Sequence, residues 1–274
     1  MGLFERVGGL LAGSDDWQNG RGGSTPGGGR DAAGSHGSHW DAIVEDDGEI
    51  RAIVAGTLED GTGIESPREG VVGYRSGPTA CGACVVVVDD TIVTAFPDVA
   101  GTRHDATLTG VDEWDSGVEA QLELALDDGV LSAFDVRQFA RRSHAVDPGT
   151  DVTVLLAALC YRLEPTTAIA DDGDELVPPE DGIGCFPFEG GAADDYLFRT
   201  VLSSVETHTF AGRTVHRVDA PLFRSETGEE VVVPFYAADH VVEGGAPNAG
   251  DDVTGVLWLQ GRPVSGSSDG PTTR

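Results

Sequence analysis

Apolar residues in this chain come in short runs, many alternating with polar positions and separated by Gly, Asp, Pro and Ser. Alternation with period two, bounded by turn residues, is the signature of strands rather than helices. Between Trp40 and Gly101 the runs are Ile50–Ala55, Gly70–Tyr74, Val85–Val88 and Thr91–Phe96, read together as a small β module over 40–102. Val85–Val88 and Thr91–Phe96 flank Asp89-Asp90 with the spacing of a two-residue hairpin. Farther along, Ala106–Val111, Val118–Leu124, Val130–Phe134 and Val152–Tyr161 read as strands. So do Leu197–Val205, Thr214–Val218, Val231–Phe235 and Val253–Leu259. The fold class this predicts is mainly β.

The second and third groups of strands resemble each other. Gly149, Asp151, Val152 and Thr153 fall on Gly250, Asp252, Val253 and Thr254 at a constant offset of 101, which carried back places Phe134 on Phe235. Upstream, Gly110–Glu113 meets Ser204–Thr207 at an offset of 94, and the longer loop at Phe223–Glu230 takes up much of the difference. Each copy then reads strand, strand, strand, a helical or irregular segment (Asp135–His144; Tyr236–Val242), a Gly-Asp turn and a closing strand. That is the element order of a small Greek-key barrel of the OB type, with a fifth strand available from the neighbouring segment. An SH3-like barrel or a plain meander gives a similar string. The organisation predicted is a tandem duplication of OB-like units over 103–165 and 194–264, joined by an acidic connector at 166–193.

The ends are different in kind. Met1–Ala12 places Leu3, Phe4, Val7, Leu10 and Leu11 near one side of a short helix, and Gly13–His39 is a Gly- and Ser-rich linker. An apolar segment on a tether suits peripheral membrane or partner docking. Residues 265–274 read as a tail.

Charge adds a second layer. There are 47 acidic residues against 17 basic ones, a formal net charge of −30, and all 17 are arginine. Such an excess costs stability by self-repulsion in dilute buffer. At molar salt the Debye length shrinks to about 3 Å and the repulsion is screened. Because the acids are spread along the whole chain, the expectation is a halophile's solvation shell, nearly silent on function. No secretory leader or spanning segment is read, so cytoplasm is expected and Cys81, Cys84, Cys160 and Cys185 are expected as thiols.

Two endings, Asp151–Pro165 (DVTVLLAALCYRLEP) and Asp252–Val264 (DVTGVLWLQGRPV), with Phe134–Arg142 (FDVRQFARR) ahead of the first, carry a resemblance. They resemble an uncharacterised prokaryotic (haloarchaeal and bacterial) family of two tandem β-barrel-like repeats closing on a Trp-Leu-Gln-Gly strand. The similarity covers roughly 103–264, and the family has no established activity. It implies structural roles: Gly for the turns and Trp258 for the barrel interior. Thr57–Tyr74, through Glu65-Ser66-Pro67, Gly70 and Tyr74, is also similar to the start of a β module in some membrane-associated ubiquitin-ligase-like proteins.

Candidate chemistry is sparse. Cys81-Gly82-Ala83-Cys84 has metal-ligand spacing, with His104, Cys160 and Cys185 available to complete a zinc site; two small residues in a β turn explain the pattern as well. His104-Asp105 lacks a nucleophile elbow. His208 and His216 are expected to face each other across a hairpin, near Asp239-His240. Arg137, Arg141, Arg142 and His144 form the densest positive cluster, which reads as a phosphate- or single-stranded nucleic-acid-contacting patch or as arginines capping a helix C-terminus. The function expected is a non-enzymatic binding or scaffold protein whose main partner is a protein. Nucleic-acid binding through the arginines, and an enzyme of unidentified class, are the alternatives.

Overall fold

The computed structural model describes residues 36–66, 68–127, 129–135, 147–166, 182–189 and 191–264. The chain is mainly β. It opens with a one-turn helix α1 (Gly37–Trp40) and a longer helix α2 (Asp47–Asp60). Strands β1 (Thr62–Glu65), β2 (Val71–Ser76), β3 (Cys81–Val88) and β4 (Thr91–Val99) form an antiparallel sheet in sequential order. The remaining strands are β5 (Thr102–Glu113), β6 (Ala120–Leu126), β7 (Gly129–Asp135), β8 (Thr150–Pro165) and β9 (Gly184–Pro187). They continue with β10 (Asp195–Val201), β11 (Ser204–Phe210), β12 (Arg213–Arg224), β13 (Glu230–Ala238) and β14 (Asp252–Val264). Among the described residues no helix is long and apolar enough to cross a membrane.

The run Ile50–Ala55, expected as a strand, is helix. Asp46 caps α2 by accepting from the Glu49 N–H, and Ile50, Val54, Thr57 and Leu58 bury one face at i, i+4, i+7 and i+8. The Asp89-Asp90 hairpin is present, both residues at positive φ (48° and 65°) as a tight turn of primed type demands.

Strands β8, β5, β6, β7 and β14 pair in that order, and β14 pairs back onto β8, closing a five-stranded barrel. The fifth strand therefore comes from the far end of the chain and runs parallel to β7. On the other side of the β8–β14 seam, β13, β12 and β11 extend from β8, and β10 and β9 extend from β14. Here the run expected as one strand, Leu197–Val205, breaks at Leu202-Ser203 into β10, which pairs with β14, and β11, which pairs with β12. In the first half the corresponding strand is continuous: the start of β5 pairs with β8 and its end with β6.

The register correspondence is detailed but departs from the sequence alignment at one place. Gly149 N–H donates to Leu108 O at 2.7 Å, and Gly250 N–H to Leu202 O at 2.7 Å, with both glycines near φ +90°. Val152 lies opposite Ala106 on β5, and Val253 opposite Thr200 on β10. Phe134, however, pairs with Gln260 while Tyr236 pairs with Leu159, so Tyr236 rather than Phe235 takes the position of Phe134. Phe235 instead corresponds to Ala133, both buried in the same hydrophobic core. A one-residue shift exchanges the two faces of a strand, so the apparent Phe–Phe match joins residues on opposite sides.

Two cores result. One fills the barrel and the space beside it with Leu108, Leu122, Leu124, Leu156, Ala158, Phe235, Leu257 and Leu259. The other lies between the outer face of β7, β8, β13 and β14 and the N-terminal sheet, with Trp40, Ile43, Phe96, Phe134, Leu159, Tyr236 and Trp258. Strand β8 is buried on both faces, which is why Val154–Cys160 reads as an unbroken apolar run. Trp258 thus faces the N-terminal sheet rather than the barrel interior. Polar bonds join the layers: Gln260 Nε2–H donates to Pro97 O at 2.7 Å, and Trp40 Nε1–H to Ala95 O at 3.1 Å.

Candidate functional site

The second core holds a compact polar and aromatic cluster where residues 36–44 cross the outer face of the barrel. His36 and His39, on one side of a helical turn, both point inward; Trp40, Ile43 and Val44 behind them are fully buried and fasten the segment. His36 Nε2 bonds Glu119 Oε1 at 2.7 Å, with side-chain exposures of 2% and 0%. Glu119 is held by the turn between β5 and β6, its carbonyl accepting from the Trp114 N–H at 2.9 Å.

Rings surround His36. Trp114 stacks on it at 5.5 Å and 12°, and the Phe134, Phe96, Trp258 and His39 centroids lie at 4.7, 5.9, 5.7 and 5.0 Å. His39 in turn stacks on Trp258 at 3.9 Å. The cluster is an aromatic box with one carboxylate in its wall.

Beside it runs a chain of hydrogen bonds. Strand β8 skips one residue against β14, with Cys160 opposite Leu257 and Arg162 opposite Val256. The bulged residue is Tyr161, and bulges re-aim side chains in this way. Its hydroxyl donates to Asp195 Oδ1 at 3.2 Å and bonds His39 Nδ1. Since the one Tyr161 hydroxyl proton goes to Asp195, His39 Nδ1 is the donor of the second bond. Trp258 Nε1–H donates to Asp194 Oδ2 at 2.7 Å, and the Ala192 N–H to Asp195 Oδ2 at 2.8 Å.

Burial shapes the ionisation of these groups. It lowers the His39 pKa well below the ordinary histidine value, with His36 adding to the effect, and raises Tyr161 well above the phenol range, with help from Asp195 and Asp194. Burial also raises Asp194, against the opposing Trp258 bond, and pushes Asp195 up to about 6. For Glu119 burial acts upward too, but the bond and charge of His36, with the nearby Thr94 and Ser116 hydroxyls, outweigh it and leave the carboxyl below its usual range. The Thr94 and Ser116 hydroxyls approach the carboxylate without completing a hydrogen bond to Oε2. Glu119 Oε2 and His36 Nδ1 are both buried without a hydrogen-bond partner among the described residues.

A second feature faces solvent. Phe186 on β9, Leu197 on β10 and Val256 on β14 are register partners in one row across three strands. Phe186 is 68% exposed and Leu197 44%, and Phe188 is exposed next to them. The row ends at Arg162 on β8, which pairs with Glu164 at 2.5 Å and Glu243 at 3.3 Å. Strand β9 itself arises within the stretch read as an acidic connector.

The residues singled out from sequence are dispersed. Arg137, Arg141, Arg142 and His144 lie outside the described residues, as does Met1–Ala12. Cys81 and Cys84 sit on regular β3, three positions apart, so their side chains leave the strand on opposite faces, both fully buried. Burial first, and Asp98 next, push the Cys81 thiol up to about 12. Among the described residues no group of three or more His, Cys, Asp and Glu is placed to hold a metal ion. His208 and His216 are not opposite each other: His208 pairs with Val215 and His216 with Thr207, a one-position offset that puts them on opposite faces. His216 bonds Asp239 at 2.8 Å, His240 bonds Asp41 O at 2.7 Å, and His104 contacts Thr102 at 3.1 Å.

His36, His39, Glu119, Tyr161 and the Asp194-Asp195 pair escaped the sequence reading. The available signal was His-x-x-His ending on Trp40, at the close of a Gly/Ser run that otherwise has nothing to bury. No protein-family model matches the chain, and no curated protein matches it in sequence.

Proposed function

We propose that this is a non-enzymatic binding or scaffold protein of the cytoplasm of a halophile, engaging a protein partner through the outward row Phe186–Leu197–Val256. The observation that carries this reading is the exposure of Phe186 and Leu197 side by side on a chain of net charge −30. An apolar row framed by carboxylates is the composition of a docking surface, and it is not needed by either core. Molar salt screens the repulsion of an acidic partner but leaves apolar contact intact, so such a row suits association under those conditions.

The reading also takes 103–165 and 194–264 as copies of one OB-like unit that lend each other a strand at the β8–β14 seam. The matched Gly149–Leu108 and Gly250–Leu202 bonds support it.

The test is capture from a salt-adapted lysate by the full chain and by Phe186→Asp with Leu197→Asp, both melting alike. Proteins bound by the wild type and lost by the variant support the reading; equal capture contradicts it. If the pure protein self-associates and the variant does not, the occupant of the row is a second copy and the partner reading fails.

A further inference from the structure

His36 fills its box imperfectly. A buried imidazole surrounded by aromatic rings, with a fully buried carboxylate in the wall, makes one hydrogen bond to one of that carboxylate's two oxygens. Its own Nδ1 and Glu119 Oε2 have no partner among the described residues. Leaving buried polar atoms unpaired costs free energy that a better-matched group recovers.

We infer that the box of Phe96, Trp114, Phe134 and Trp258, closed by Glu119, is an organic-cation site whose resident occupant is His36 and whose external ligand is a guanidinium. Aromatic faces attract cations, and a carboxylate supplies the counter-charge. Among organic cations the unpaired Glu119 oxygen selects. A guanidinium presents two parallel N–H groups to both carboxylate oxygens and stacks flat on an indole. A quaternary ammonium satisfies the rings but donates nothing, so it leaves both oxygens of a buried carboxylate bare. A primary ammonium is compact and strongly hydrated, and loses more on entering.

The position of the occupant makes exchange feasible. His36 stands one turn ahead of Trp40 through Val44, the buried residues that fasten the segment. Withdrawing it leaves that anchor in place. Phe96 and Phe134 also line a solvent-facing cleft with Asp98, Asp135, Gln260 and Arg262, so the box is separated from solvent on that side by two rings. As a tethered occupant, His36 competes at an effective concentration on the order of millimolar. The intact protein therefore binds guanidinium weakly and the vacated box binds it well.

The experiment is calorimetric titration of the full chain with methylguanidinium chloride at constant high ionic strength, against tetramethylammonium chloride. His36→Ala is expected to bind methylguanidinium at least about tenfold more tightly than the wild type. Adding Glu119→Gln to His36→Ala is expected to weaken this by about tenfold or more, and tetramethylammonium is expected to bind less tightly than methylguanidinium. Equal affinity of wild type and His36→Ala, or indifference to Glu119→Gln, overturns the inference; so does preference for tetramethylammonium. Should His36→Ala fail to fold, the wild type decides. Its His36 ring protons, shielded by the surrounding rings, move to their free positions as methylguanidinium binds below denaturing concentrations, and unmoved resonances overturn the assignment.

Discussion

Ala158 on β8 and Leu259 on β14 face each other directly across the antiparallel seam, and they are 101 positions apart in the chain. That is the offset relating Gly149 to Gly250 and Val152 to Val253. The pairing runs antiparallel from Thr153 with Val264 to Pro165 with Val253, so this seam holds together the strands on its two sides. Both residues are fully buried in the larger core. Leu259→Ala is expected to cost about 2–5 kcal/mol, since a cavity at the seam is hemmed in by both halves. Ala158→Leu is expected to cost about 1–3 kcal/mol by overpacking. Denaturant unfolding of the two variants checks both values, and a neutral Leu259→Ala speaks against a shared core.

Acid and base act on the polar cluster in opposite senses. His39 is held well below the ordinary histidine pKa by burial first and His36 second, so folding favours the neutral ring. Its contribution to stability is present above about pH 6.5 and drains away as the pH falls. Asp195 behaves the other way. Burial, opposed by the Ala192 N–H and reinforced by Asp194, raises its carboxyl to about 6, so the folded state takes up a proton. That contribution is full below about 3.8 and is lost as the pH rises through 6. Asp195→Asn is therefore expected to gain on the wild type between about pH 4 and 6, by roughly 1–3 kcal/mol, with a constant difference above. His39→Asn is expected to flatten the acid limb below about pH 6.5. Unfolding free energies across this range show both trends, and parallel curves for wild type and Asp195→Asn contradict the assignment.

The buried thiols are expected to be inert while the protein is folded. Burial pushes Cys81 up to about 12 and Cys160 higher still, so their thiolates are scarce at neutral pH. Alkylation of these cysteines should follow unfolding rather than precede it. Cys81→Ala, which removes only the sulfur, is expected to cost about 0.5–1.5 kcal/mol, the scale of deleting one buried methyl group. Zinc bound to the purified wild type, and lost together with the fold in that variant, is the outcome that revives a metal role for Cys81 and Cys84.

Much of the strand pattern was legible because sheet faces alternate and turns carry Gly and Asp. Val152–Tyr161, Val253–Leu259 and the Asp89-Asp90 hairpin stand where the sequence puts them. Ile50–Ala55 misled because a short apolar stretch satisfies either period; the decisive residues, Thr57 and Leu58 one turn on, fall outside it. Phe134 and Phe235 misled because identity outweighed parity, although the ladder cares only for parity. The site was less legible still. His36, Glu119, Tyr161 and Asp194 are brought together by a strand bulge and by sheet-on-sheet packing, and neither leaves a spacing rule in the chain.

Salt dependence separates solvent adaptation from fold. With a net charge of −30, the folded state is expected to lose stability steadily as KCl is lowered from molar to millimolar levels. Replacing the KCl by an uncharged osmolyte should not restore it fully. A melting temperature independent of salt contradicts the halophilic reading.

The most direct test of the architecture on which the docking row depends uses fragments. Residues 102–165 alone lack the strand that closes their barrel, and residues 182–264 alone lack β8. Heteronuclear NMR is expected to show collapsed amide dispersion for each fragment in molar salt and a folded spectrum when they are mixed in equal amounts. A fragment 102–165 that folds by itself, with dispersion unchanged on adding the other, contradicts a body built around the Ala158–Leu259 seam.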